Sequence, residues 1–296
     1  MSTLSRSTVY LMSIALAVPM ALSQSRPLKI FISVDMEGIG GVGTAEMTRS
    51  GGKDYELGRQ LMTDEVNTVV EAIRKHGEAE ILVNDSHGDM QNLQHTRLDP
   101  RVEYIQGNIK ALGMVQGLDE SFDAAIFLGY HARAGTEKGF LAHTGSGSVK
   151  GLWLNDIEVG EGGLNAALAG ELGVPVILAA GGAVFAEQIR ERIGTRVVAT
   201  KEPIGARSCR LYHPSRVQSH LREAVAQALR DLGKARLFTV GKPVRIRMRF
   251  ATTTRPEVLQ AIPGMSRVDG FTVAYTARDM QEAYRLIRVM YKYIRF

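Results

Sequence analysis

Apolar positions fall into two kinds of run along this chain. Residues 28–34 (LKIFISV), 80–84, 123–129 and 174–179 are short and almost continuously apolar, the pattern of strands buried on both faces of a sheet. Between them, residues 55–75 carry Leu57, Leu61, Val66, Val69 and Ile73 at helical spacing, and residues 162–172 and 185–192 also read as helices. A short helix-like stretch lies near residues 109–116. The alternation predicts an α/β fold, a mostly parallel sheet flanked by helices. After Lys201 the order changes to a helix over 214–232, strands over 244–250 and 271–275, and a closing helix over 279–294. That change predicts a boundary between an α/β domain at 27–205 and a smaller C-terminal α+β domain at 206–296.

Residues 1–23 stand outside this pattern. They hold one charged side chain, Arg6, then an apolar stretch over 9–22 interrupted by Pro19, and they close on Ala21-Leu22-Ser23. The segment reads as a cleaved signal peptide, with an uncleaved anchor as the alternative. The mature chain is therefore expected to be secreted or periplasmic, without stable membrane insertion. A composition of 45% hydrophobic and 23% charged residues suits a globular chain. A single cysteine, Cys209, excludes an internal disulfide framework and a cysteine-rich zinc module.

Charge is uneven: residues 27–200 hold 15 Lys and Arg against 24 Asp and Glu, and residues 201–296 hold 19 against 7. Attraction to an anionic polymer is one reading. Mutual neutralisation of the two parts, or of neighbouring subunits, is the simpler one. Arg245, Arg247 and Arg249 alternate with Val244, Ile246, Met248 and Phe250, as on a half-buried strand. No aromatic residues interleave them as base-stacking platforms, so no nucleic-acid partner is expected.

The chemically informative residues follow the predicted strands. Asp35 and Glu37 come after the first (SVDMEG), His87 after the second (NDSHG) and His131 after the third (LGYHAR). In α/β sheets ligands bind beyond the carboxyl ends of strands, and imidazole with carboxylate suits zinc. Singly, each residue has an ordinary reading as a turn, a cap or a buried polar group; together they point to a metal site. Glu161 (VGEGGLN) fits either a ligand or the first turn of a helix, where carboxylates are favoured. His143 (LAHTG) lies in a glycine-rich stretch over 139–151 that reads as a mobile loop, where it is either an acid/base group or a surface residue. His76, His95, His213 and His220 read as structural. Gly38 to Gly43 matches the dinucleotide fingerprint G-x-G-x-x-G. However, Asp35 and Glu37 stand before it and no helix opens after it, so it is set aside.

SVDMEGIGG, DYELGRQLMTDEVN, LVNDSHGDMQNL, FLGYHARAGT, AHTGSGSV, LNDIEVGEGGLNAALAG and PGMSRVDGFTVAYTARDMQEAY together resemble the DppA-type D-aminopeptidase family of zinc metallopeptidases over about residues 29–284. The resemblance implies two zinc ions per subunit, with Asp35 bridging and Glu37, His87, His131 and Glu161 as the other ligands. It gives His143 the catalytic role. It also implies short peptides with N-terminal D-amino acids, such as D-Ala-D-Ala, as substrates, and a ring-like homodecamer. With the signal peptide, it suggests turnover of cell-wall peptides.

Three departures bear on substrate recognition. Gly182 and Ala183 stand where an Asp pair is expected, the arginine of Lys201–Arg207 is displaced by one position, and the loop from His131 to His143 is one residue longer. A metallohydrolase of other amide specificity and a non-catalytic extracytoplasmic binding protein are the alternatives.

Overall fold

The computed structural model describes residues 26–294, so the expected signal peptide lies outside the described residues. The first half of the chain forms β1 (Leu28–Val34), α1 (Tyr55–His76), β2 (Ala79–Asp85), β3 (Glu103–Ile105), β4 (Ala124–Tyr130), β5 (Val149–Leu154) and β6 (Ile157–Glu158). There follow α2 (Glu161–Glu171), β7 (Val176–Gly182), α3 (Ala183–Ile193), β8 (Arg196–Gly205), β9 (Ser208–Leu211) and α4 (Pro214–Arg230). The chain ends with β10 (Val244–Phe250), α5 (Thr254–Leu259), β11 (Ser266–Arg267), β12 (Thr272–Ala277) and α6 (Met280–Arg288). The helix-like stretch at 109–116 is only a 3-10 turn at Gly113–Val115, and the closing helix passes into a π turn at Val289–Tyr293.

Seven strands make the larger sheet in the order β3-β2-β1-β4-β7-β8-β9, parallel except for the antiparallel edge strand β9. The order reverses at the β1–β4 pair, where outgoing loops diverge to opposite sides and leave a crevice beyond the strand ends. Side chains of β1 and β4 alternate between two cores. Ile30, Ile32, Val34, Ile126 and Leu128 join α1 and α4 on one face. Phe31, Phe127 and Tyr130 face α2, α3, α6 and the inner side of the second sheet. Burial on both faces is why these strands read as unbroken apolar runs.

The second sheet is antiparallel, in the order β11-β12-β10-β5-β6. Its strand β10 buries Val244, Ile246, Met248 and Phe250 and turns its arginines outward, where Arg247 lies 4.6 Å from the Trp153 ring centroid across the β5 pairing. The chain passes between the two sheets on both sides of residue 205. β5 and β6 precede it yet pair with β10, while β9 and α4 follow it yet complete the larger sheet and its helical cover. The stretch after His143 is not a free loop, because Leu141 N–H donates to Ala206 and Ala134 N–H to Thr144 Oγ1 before the chain enters β5.

The β1 and β4 strand ends touch through backbone alone. Gly38 N–H donates to the Gly129 carbonyl at 2.7 Å, and a Cβ on Gly38 would fall 2.0 Å from the Tyr130 carbonyl oxygen. Gly129 has φ +68°, and its Cβ would fall 2.0 Å from the Asp35 carbonyl oxygen. Gly38→Ala is therefore expected to cost about 3 kcal/mol in urea unfolding of the metal-free protein, since only backbone can yield. The control Gly77→Ala, in extended backbone with nothing within 4 Å, is expected to stay within about 0.5 kcal/mol of the parent.

Candidate metal centre and active site

All six residues singled out in the sequence converge at the crevice. Asp35 and Glu37 leave β1, His87 leaves β2, His131 leaves β4, Glu161 opens α2, and His143 comes from the tethered loop before β5. The five proposed ligands are buried, with His143 the most open at 30% side-chain exposure.

Asp35 stands between two sets of donors. Its Oδ1 lies 3.1 Å from His87 Nδ1, which is also 3.0 Å from Glu37 Oε2. Its Oδ2 lies 3.4 Å from His131 Nε2, which is 3.0 Å from Glu161 Oε2. Asp35, Glu37 and His87 form one group of ligand atoms within 4.8 Å of one another, and Asp35, His131 and Glu161 form another. His143 stacks on His131 with ring centroids 4.0 Å apart and sets its Nε2 3.8 Å from Glu161 Oε1.

Each imidazole commits one nitrogen to a backbone carbonyl. His87 Nε2 meets the Thr48 carbonyl at 2.6 Å, His131 Nδ1 that of Ala132 at 3.0 Å, and His143 Nδ1 that of Leu141 at 2.9 Å. A carbonyl only accepts, so these nitrogens carry hydrogens and the opposite nitrogens point their lone pairs inward once the rings are neutral. Orientation of histidine ligands through the second nitrogen is the usual device of metal sites. His131 Nε2 is buried and, although close to two carboxylates, makes no hydrogen bond of acceptable geometry. An orphaned donor atom among three buried carboxylates fits a cation, and the donor set of oxygen and imidazole nitrogen fits zinc.

Electrostatics carries the same message. Burial and the neighbouring Glu37 charge push Asp35 up to about 7. Burial also opposes ionisation of Glu37 and Glu161, but the facing imidazoles win: His87 holds Glu37 well below the usual range and His131 holds Glu161 at about 2. Burial disfavours charge on the histidines too, yet Glu37 raises His87 well above its ordinary value and Glu161 raises His131 to about 10. Protons on the imidazoles are thus the counter-ions of the metal-free cluster.

The supporting residues were not legible as site residues. Asp85 accepts from Asn92 N–H, Leu93 N–H and the Asn92 amide, whose second hydrogen reaches the His87 carbonyl, so the turn carrying His87 is closed on itself. Lys201 is fully buried on β8 and donates to the carbonyls of Glu37 and Val42, both at 2.6 Å, pinning the loop after β1. Thr200 Oγ1 donates to Gly38 O in that loop. The only signal available was the polar run NDSHGDMQN and an ionic residue inside a β-strand. Gly182 ends β7 beside Lys201, and a Cβ there would meet only Pro203 and Lys201 carbons at 3.6 and 3.8 Å, ordinary contact distances, so the backbone itself does not demand the glycine that stands in place of the expected carboxylate.

A doubly wound α/β protein with this cluster at its switch point is a metallohydrolase in architecture. Comparison places it further. The D-aminopeptidase family model matches residues 28–289. A D-aminopeptidase of Bacillus subtilis (strain 168) is 38% identical over 265 residues, covering 89% of this chain and 96% of that protein. The solved structure of the zinc-dependent D-aminopeptidase DppA from Bacillus subtilis, described as a self-compartmentalizing protease, superposes with a TM-score of 0.86 at 38% identity over the same shares of the two chains. The chain belongs to the D-aminopeptidase family and is a metallo-aminopeptidase.

Metal binding is expected to release protons, because an imidazole held protonated to about pH 10 must be neutral to ligate. Zinc titration of the apoprotein near pH 7 in buffers of different ionisation enthalpy should show about two protons released, with apparent affinity falling as pH falls. A binding heat independent of buffer would contradict the ligand assignment of His87 and His131.

Proposed function

We propose that the protein is a two-zinc aminopeptidase that removes N-terminal D-residues from short peptides of the D-Ala-D-Ala type. The observation that carries this reading is the division of Asp35, whose two oxygens face two imidazole–carboxylate sets, His87 with Glu37 and His131 with Glu161, while Glu37, His131 and His143 also lie within 4.8 Å of one another. Asp35, Glu37 and His87 would hold one ion, and Asp35, His131 and Glu161 the other. The zinc dependence of the Bacillus subtilis relative supports the metal, and its self-compartmentalizing nature supports a ring, here taken as a homodecamer. The apolar stretch over 9–22 supports action outside the cytoplasm, where peptidoglycan fragments supply D-amino acids.

Bound zinc supplies a Lewis acid for the scissile carbonyl and brings the pKa of water toward neutrality. The chain's own residues do the rest. The backbone carbonyls of Thr48 and Ala132 keep His87 and His131 oriented. His143 lines the same cavity as the five ligands except His131. Its Nδ1 hydrogen is committed to Leu141, which leaves Nε2 to accept the proton of the attacking water and return it to the leaving amine.

His143→Ala is expected to lower kcat on D-Ala-D-Ala by about 10²- to 10⁴-fold while zinc content is unchanged. The parent should release D-alanine from D-Ala-D-Ala, spare L-Ala-L-Ala and stop when a chelator is added. Two bound zinc ions with neither dipeptide cleaved would instead favour a hydrolase of other specificity, to which the missing carboxylates at Gly182 and Ala183 point. Ligand binding without turnover in either form would favour the binding-protein alternative.

A further inference from the structure

The active-site cavity also carries cationic side chains. The cavity, about 290 Å³, is lined by Asp35, Glu37, His87 and Glu161 and by Arg288, Tyr291 and Lys292 from the segment where α6 passes into the π turn; Lys292 Nζ donates to the Gly88 carbonyl at 3.0 Å, beside His87. Arg288 is 2% exposed. Its guanidinium donates to the Tyr291 hydroxyl at 2.9 Å, the Tyr293 hydroxyl at 3.2 Å and the Lys110 carbonyl at 3.5 Å, while Nε has no partner. Among the described residues no carboxylate pairs with it, an arrangement that leaves a buried cation uncompensated.

Tyr291 connects this cation to the cavity. Its ring lies against Gly145, where a Cβ would fall 2.4 Å from Tyr291 Cζ, and Gly145 N–H donates to Glu161 Oε1. The Tyr291 hydroxyl accepts from Arg288, so its own hydrogen is free to donate, and among the described residues nothing accepts it. Tyr293 differs, since its hydroxyl is spent on the Lys110 carbonyl. A phenol backed by a guanidinium is a strong donor toward an anion.

We infer that Tyr291, backed by Arg288 and flanked by Lys292, receives the free C-terminal carboxylate of the substrate. The inference rests on the aminopeptidase reading and deepens it. A short unblocked peptide carries a C-terminal carboxylate that suits the donors Tyr291 and Arg288. A cavity at the low end of the usual ligand-pocket range admits only a small ligand. The substrate class is therefore a very short peptide with a free carboxyl terminus, and the enzyme is selective against C-terminal blocking.

The test compares D-Ala-D-Ala with its C-terminal amide on the zinc-loaded full chain. For the parent, kcat/KM should favour the free acid by about 10- to 100-fold, chiefly through KM. Tyr291→Phe keeps the ring against Gly145 and removes the hydroxyl, and Arg288→Gln removes the charge. Each should bring the two substrates to within about threefold by slowing the free acid far more than the amide. Equal cleavage of both substrates by the parent overturns this inference and leaves the aminopeptidase reading standing. Cleavage of neither overturns both. If Arg288→Gln fails to fold, the substrate comparison on the parent and on Tyr291→Phe decides, and undiminished preference for the acid in Tyr291→Phe overturns the assignment.

Discussion

Three carboxylates, those of Asp35, Glu37 and Glu161, are buried within reach of one another at one end of a sheet. Like charges at such distances, shielded from water, cannot all ionise without cations among them. Every nearby feature bears on that constraint. The imidazoles of His87 and His131 hold protons that balance the cluster, and each is fixed by a carbonyl on its far side so that those protons can give way to a metal. Lys201 brings an ammonium to the Glu37 backbone rather than its carboxylate, which steadies the loop without occupying the side chain needed as a ligand. The site thus stores electrostatic tension that a dication relieves, and the fold must be stiff enough to hold the carboxylates together beforehand.

That stiffness comes from a buried polar network behind the cluster. Ser33 Oγ lies 2.8 Å from Ser86 Oγ and 2.7 Å from the Tyr130 hydroxyl, which receives the Asn165 amide at 2.9 Å. Tyr284 donates to Asn165 Oδ1 at 2.7 Å. The network runs one layer beneath the cluster: Ser33 below Asp35, Ser86 beside His87, Tyr130 before His131 and Asn165 one turn along from Glu161. Because buried polar groups are expensive when unpaired, the network fixes the mutual positions of β1, β2, β4, α2 and α6. It also carries the C-terminal helix into the heart of the molecule, so the last third of the chain is a wall of the active site. Exchange of strands between the two sheets has the same effect, since β5 leaves from the His143 loop and pairs with β10.

Most of the parallel sheet was legible because its strands are buried on both faces and hence uniformly apolar. The strands that escaped notice are the ones that break this rule. β3 and β9 lie at sheet edges and are short and half polar, β8 contains a buried lysine, and β5 is interrupted by Lys150 and Gly151. Among the site residues, the position after a strand made Asp35, Glu37, His87 and His131 readable from physics alone. Glu161 and His143 needed the family resemblance, because a glutamate opening a helix and a histidine among glycines have common structural uses. Asp85 and Lys201 carried only a weak local signal and Tyr291 and Arg288 none: their roles depend on which distant backbone or hydroxyl they meet, and only the tertiary structure supplies that.

The strand order of the larger sheet is that of dinucleotide-binding folds, and the glycine run after β1 imitates their fingerprint, yet the crevice serves different chemistry. In a dinucleotide site the glycines turn directly into a helix whose amino terminus faces a pyrophosphate. Here a 3-10 turn at Glu46–Thr48 intervenes and α1 begins only at Tyr55. Gly38 is spent instead on backbone contact with Gly129 and Tyr130, which brings Asp35 and His131 together. Glu161 at the start of α2 joins Asp35 and Glu37, so in the metal-free protein three carboxylates enter the crevice where a dinucleotide site would hold a pyrophosphate, and the cationic side chains of the cavity come from α6 and the turn after it. The same topology therefore supplies a cavity that joins a carboxylate–imidazole cluster to a tyrosine–arginine pair. Its selectivity lies in which loops deliver charge to it.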